Sequence, residues 1–128
     1  MLTVTKIFRF CYGHHLPDYE GKCKNFHGHN CRLEITVREP RIHPHDNYPG
    51  MVMDFGDLKK IVTPIIEELD HKNLNEILPA AFIPPTAENI AMFFVFRLNN
   101  IKVLNGRLVR VRVYETDDSY ATWEWETL

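Results

Sequence analysis

The sequence predicts an α+β fold: an antiparallel four-stranded sheet with two helices on one face. Three observations predict it. Residues 31–38 alternate apolar and polar side chains, as a half-buried strand does. Residues 54–69 and 86–101 carry apolar residues at helical spacing, and alternation returns from 107 onward. Strands grouped at the two ends, with helices between them, favour an antiparallel sheet over βαβ units.

The elements follow in order. Leu2, Val4, Phe8 and Phe10 share one side of a first strand, with Lys6 as the exception. In the second, Cys31, Leu33, Ile35 and Val37 oppose Arg32, Glu34, Thr36 and Arg38. Pro40, Pro44, Pro49 and Gly50 mark a broken connection, and Met51 to Met53 read as a short strand or rim element. Leu58, Ile61, Val62, Ile65, Ile66 and Leu69 then define a helix, capped by Asp54 or Asp57. Pro64 lies inside it, so a kink or local break is expected there.

Residues 73–85 form a connection with room for one helical turn. A second helix starts after Thr86, a suitable N-cap with Glu88 in the first turn, and runs to about Asn100. Ile90, Phe94, Leu98 and Ile101 face inward. Val109, Val111 and Val113 oppose Arg110, Arg112 and Tyr114 in a third long strand. Asp117-Asp118 is the turn before a last strand, Ser119 to Thr127. The order is ββααββ in a single domain, residues 1–128, without repeats or linkers. The second sheet face carries large as well as polar residues, leaving room for an oligomer interface.

Composition narrows the function. Fifteen basic against seventeen acidic residues give a net charge of −2, which argues against a dedicated nucleic-acid or membrane-surface binder. No apolar run approaches the ~18 residues a membrane span needs. The N-terminal stretch alternates instead of forming an apolar block, so a cytoplasmic location is expected.

The chemistry concentrates in KCKNFHGHN, residues 22–30. Two histidines at i and i+2 on an extended segment point to one side, so His27 and His29 converge if the segment enters the second strand. Gly28 between them leaves the opposite face unobstructed. A third ligand is expected from the end of the first strand, where His14 and His15 lie; adjacent residues diverge, so only one of them reaches. His43-Pro44-His45 reads as solvated loop, and Cys31 and Cys11 as packing residues. Cys23 sits between Lys22 and Lys24, neighbours that favour a thiolate. It is either a fourth ligand of a closed structural site or a general base beside an open catalytic metal.

The ordered motifs FCYGHHL, CKNFHGH, GMVMDFGDLK, LDHKNLN, PPTAENIA and VRVYET resemble the 6-pyruvoyl-tetrahydropterin synthase family over roughly residues 7–116. The resemblance is greatest to its 6-carboxy-5,6,7,8-tetrahydropterin synthase branch, in which the cysteine stands four residues before HGH. It implies the ββααββ tunnelling fold, assembled into a barrel, usually as a homohexamer of two trimers with active sites at subunit interfaces. It implies Zn²⁺ on His14, His27 and His29, with His15 at a variable position. It further implies that Cys23 and His71 are the catalytic cysteine and histidine, with Asp70 beside His71, and that Glu115 anchors the pterin and joins the proton relay. Thr86, first of all a helix cap, belongs to the pterin-pocket neighbourhood.

Asp70 and His71, as sequence neighbours, need not touch, so the relay partner of His71 is expected elsewhere. The implied substrate is 7,8-dihydroneopterin triphosphate, converted to 6-carboxytetrahydropterin, acetaldehyde and triphosphate in queuosine biosynthesis. Lys22, Lys24 and the arginines of the penultimate strand are candidate triphosphate partners. Formation of the pyruvoyl product, aldolase-like cleavage, and a noncatalytic pterin- or zinc-binding oligomer are the alternatives. Cys11, Tyr12 and Gly13 replace the small residues common in the family before the first ligand; Tyr12 either narrows the pocket or packs outward.

Overall fold

A computed structural model of the chain describes residues 1–39 and 50–126. Its elements are β1 (Thr3–His14), β2 (His27–Arg38), α1 (Phe55–Leu69), β3 (Lys72–Asn73), α2 (Leu74–Ile77), α3 (Ala87–Asn99), β4 (Leu108–Thr116) and β5 (Ser119–Glu124). They form one sheet in the order β3-β1-β2-β4-β5. The four long strands are antiparallel, as the alternation predicts. The sheet has five strands and not four, because Lys72 and Asn73 pair in parallel with Tyr12 and Gly13. Two residues are too few to display a period, so nothing in the sequence signals β3.

Register decides which face is core. Phe8, Phe10 and Tyr12 of β1 lie opposite Leu33, Cys31 and His29 of β2. Leu33 and Ile35 in turn face Val113 and Val111 of β4. All of these except the half-buried His29 are buried beneath Leu58, Val62 and Leu69 of α1 and Ile90, Phe94 and Leu98 of α3. Leu2 is exposed, and β1 begins one residue later.

Both helix starts match their caps. The Asp57 N–H donates to Asp54 Oδ1 at 3.1 Å, and the Asn89 N–H to Thr86 Oγ1 at 3.1 Å. The break expected at Pro64 does not occur, and α1 runs through it. Pro64 and Lys60 are both exposed, so the Lys60 carbonyl deprived of a helical donor can turn to water. Met51 to Met53 form a rim segment without strand pairing, held where Arg107 donates to the Val52 carbonyl at 2.6 Å. His43 and His45, and the predicted end of the last strand at Thr127, fall outside the described residues.

Phe94 is fully buried, with its ring 6.2 Å from Phe10 and 5.7 Å from Phe93. Phe94→Ala removes this bridge between α3 and the sheet and is expected to destabilise the chain by about 3–5 kcal/mol. A urea melt measures the loss.

Candidate metal centre and active site

The apolar stripe of β1 continues, without changing face, into a polar cluster. Phe8, Phe10, Tyr12 and His14 are successive buried residues on one side of the strand. His14 lies opposite His27, and Tyr12 opposite His29. Three imidazoles therefore gather where the core ends, between the termini of two paired strands. His14 Nε2 is 2.9 Å from His27 Nε2 and 3.0 Å from His29 Nε2. Among the described residues, His14, His27 and His29 are the group of His, Cys, Asp and Glu side chains placed to hold a metal, with ligand atoms within 4.8 Å of one another.

The far side of each ring explains what the cluster can bind. His14 Nδ1 donates to the Pro85 carbonyl at 2.6 Å, and His27 Nδ1 to the Asn25 carbonyl at 2.7 Å. A carbonyl only accepts, so each proton resides on Nδ1 and each Nε2 presents a lone pair. The Glu115 backbone lies beside His29. Lone pairs 2.9 Å apart repel unless a cation lies between them, and oriented neutral imidazoles are what a divalent metal requires. The donor set fits zinc. Cys23 is not part of the group, so among the described residues three candidate ligands come together.

Burial lowers the pKa of His14 and of His29, with the neighbouring histidines adding to the effect and Glu115 opposing it. The folded chain thus favours the neutral rings, whereas unfolded histidines protonate near pH ~6.5. Stability of the metal-free protein is expected to be complete above about pH 6.5 and to fall as pH drops through the lowered folded values. Denaturant melts across that range check the sign.

Glu115 follows Val111 and Val113 on the core side of β4, and its Oε1 lies 3.8 Å from His14 Nε2. It also lines a cavity of about 430 Å³ with Ala87, Glu88, Tyr120 and Thr122. Thr86 caps α3 beside this cavity, next to the Pro85 carbonyl that holds His14. Cys31, buried on the same face, has its thiol pushed up to about 12, mainly by burial, and serves as a packing residue.

Asp70 and His71 do touch, contrary to expectation. His71 Nδ1 lies 2.9 Å from Asp70 Oδ1, the same oxygen that accepts the Cys11 N–H at 3.0 Å. His71 has φ 58, a left-handed conformation that costs a non-glycine residue roughly 1–2 kcal/mol. That turn, with the His71 N–H donating to the Cys11 carbonyl at 2.6 Å, brings the ring back onto its neighbour. Sequence adjacency gives no sign of it. The Cys11 N–H and His71 hold the Asp70 carboxyl below its ordinary range.

His71 is 78% exposed at the β1 edge and lines a cavity of about 430 Å³ with Cys11, Phe26, Asn30 and Lys72. Cys23 is half-buried in a helical turn, Lys22–Lys24, whose Cys23 carbonyl accepts the Leu16 N–H at 2.7 Å. The structure does not bring Cys23 into the His71 cavity of the same chain. Asn75 was not anticipated: its side chain clasps the backbone of His15 through two hydrogen bonds of 2.9 and 3.0 Å, fixing the chain next to His14. The Asn25 and Pro85 carbonyls are main-chain groups and leave no mark on sequence.

A helix-backed antiparallel sheet whose core stripe ends in three converging imidazoles defines a small α+β protein with a candidate metal centre. The chain belongs to the 6-pyruvoyl tetrahydropterin synthase family, whose sequence model matches residues 3–126. It is 37% identical to a 6-carboxy-5,6,7,8-tetrahydropterin synthase from Synechocystis over 96% of this chain and 93% of that one. It is 38% identical to human 6-pyruvoyl tetrahydrobiopterin synthase over 83% of this chain and 72% of that one. Among solved structures, the 6-pyruvoyl tetrahydropterin synthase of Caenorhabditis elegans superposes with a TM-score of 0.80 at 26% identity, covering 98% and 96% of the two chains.

Proposed function

We propose that this protein is a zinc-dependent 6-carboxy-5,6,7,8-tetrahydropterin synthase, a carbon–carbon lyase of queuosine biosynthesis. It takes 7,8-dihydroneopterin triphosphate and water to 6-carboxytetrahydropterin, acetaldehyde and triphosphate. The observation that carries the reading is the convergence of His14, His27 and His29, with Glu115 alongside, at one end of the sheet. Two further facts favour the carboxy-forming branch. Cys23 stands four residues before His27, and similarity to the Synechocystis synthase extends over nearly the whole chain. The similarity to the human synthase supports the pyruvoyl-forming reaction as the second reading.

Zinc on three neutral imidazoles supplies Lewis acidity toward the substrate's side-chain oxygens. Glu115 accepts the pterin's paired N–H donors through both carboxylate oxygens. Cys23 moves the side-chain proton as thiolate base, and His71 exchanges it, its ring oriented by Asp70. Thr86 shapes the pterin pocket through the start of α3. Asp70→Asn keeps the shape but removes the anionic acceptor, and turnover is expected to fall roughly 10²-fold at unchanged metal content.

We place the site between subunits of a homohexamer, a dimer of trimers. Two features support this. His71 is exposed and lines a cavity that does not include its own Cys23, and β3 covers only Tyr12 and Gly13 of the β1 edge. Mixing a Cys23→Ala subunit with a His71→Ala subunit should restore part of the activity that each lacks alone; no recovery in verified mixed oligomers rejects the shared site. Product analysis by mass spectrometry tests the reaction itself. Carboxypterin with acetaldehyde is expected, and a pyruvoyl product moves the protein to the sister activity.

A further inference from the structure

Tyr12 lies under the histidine cluster and is left unused by the proposed chemistry. It is 2% exposed, and its ring stands edge-on to His14 at 5.2 Å and tilted toward His29 at 5.6 Å. Phe10 closes the other side at 5.9 Å. The register fixes this placement: Tyr12 precedes His14 by two residues on the same strand face and lies opposite His29. The alternative of outward packing is excluded. Its hydroxyl oxygen is buried without a hydrogen-bond partner among the described residues.

A phenylalanine would fill the same apolar space, so packing does not account for the oxygen. Buried hydroxyls in folded proteins are nearly always paired, and one left unmade is costly. The partner is therefore to be sought in what the site binds. The Tyr12 ring stands against His14, whose Nε2 lies 3.8 Å from the Glu115 carboxylate. The Tyr12 ring thus packs against two members of the triad, one of which neighbours Glu115. Three imidazoles supply lone pairs only, and Glu115 is an acceptor. A donor here is the complement that an oxygen ligand needs.

We propose that the Tyr12 hydroxyl donates a hydrogen bond to an oxygen atom of the ligand bound at the histidine triad, selecting hydroxyl, carboxylate or hydroxamate oxygens. The proposal rests on the triad being a metal site, not on the identity of the pterin reaction.

The test uses wild type and Tyr12→Phe, both loaded with Co²⁺ and titrated with acetohydroxamate by visible absorption. Cobalt stoichiometry is expected to be the same in both. The acetohydroxamate Kd is expected to be about tenfold weaker in Tyr12→Phe, the scale of one buried hydrogen bond. A purely structural hydroxyl would lower the melting temperature of the metal-free variant and leave the Kd unchanged. Equal Kd values, or a wild-type protein that takes up no cobalt, overturn the proposal. A weakened hydroxamate complex in a protein that leaves 7,8-dihydroneopterin triphosphate untouched sustains it while rejecting the proposed reaction.

Discussion

His27→Ala is expected to empty the metal centre while leaving the fold in place. His27 is one of three Nε2 donors, and three is the usual protein count for a catalytic zinc. Loss of an outer-shell partner alone weakens metal binding about 10- to 100-fold, so loss of a direct ligand should exceed about 100-fold. The choice of His27 over His14 matters. His14 is fully buried and holds the Pro85 carbonyl, so its removal would strand a buried acceptor. His27 is only half-buried, at the strand terminus. Its removal also relieves the close lone-pair contact with His14, so the metal-free variant should melt no lower than wild type. With free zinc about tenfold above the wild-type Kd, wild type should gain about 1.4 kcal/mol, nearly all of which a variant weakened more than about 100-fold lacks. Metal analysis and paired melts measure both effects. Full stoichiometry in His27→Ala would reject the three-histidine assignment.

Cys23→Ala should separate chemistry from structure. Cys23 lies outside the histidine group, so zinc content should be unchanged. As the proposed thiolate base it would account for a proton transfer, a contribution of about 10²- to 10⁴-fold in rate. Turnover should fall by that factor. If zinc is lost together with activity, Cys23 is a fourth ligand and the centre is closed. If turnover persists with zinc retained, Cys23 is only the residue whose carbonyl ties Leu16 across the β1–β2 connection.

The histidine pair was legible because its logic is local. Strand alternation places His27 and His29 on one face, and antiparallel pairing brings the end of β1 to them. The long strands, both N-caps and the inward faces of the helices follow from the same short-range periodicities. What escaped depends on backbone conformation or main-chain partners. β3 is too short for a pattern, and the Asp70–His71 contact needs a left-handed residue. Pro64 misled because its cost depends on whether the freed carbonyl faces water, and Lys60 is exposed. Tyr12 was ambiguous in sequence, since the face it takes depends on how far β1 extends. The strand continues to His14, and that extension turns the tyrosine inward.

The proposed reaction requires a metal held by the histidine triad. Its most direct test is a zinc titration of the metal-free protein in the presence of 7,8-dihydroneopterin triphosphate, following 6-carboxytetrahydropterin and acetaldehyde. Product formation should rise with added zinc and level off at about one equivalent per chain, as one three-ligand site requires. Full turnover in the chelator-treated protein, or a fully loaded protein that leaves the substrate unchanged, would contradict it.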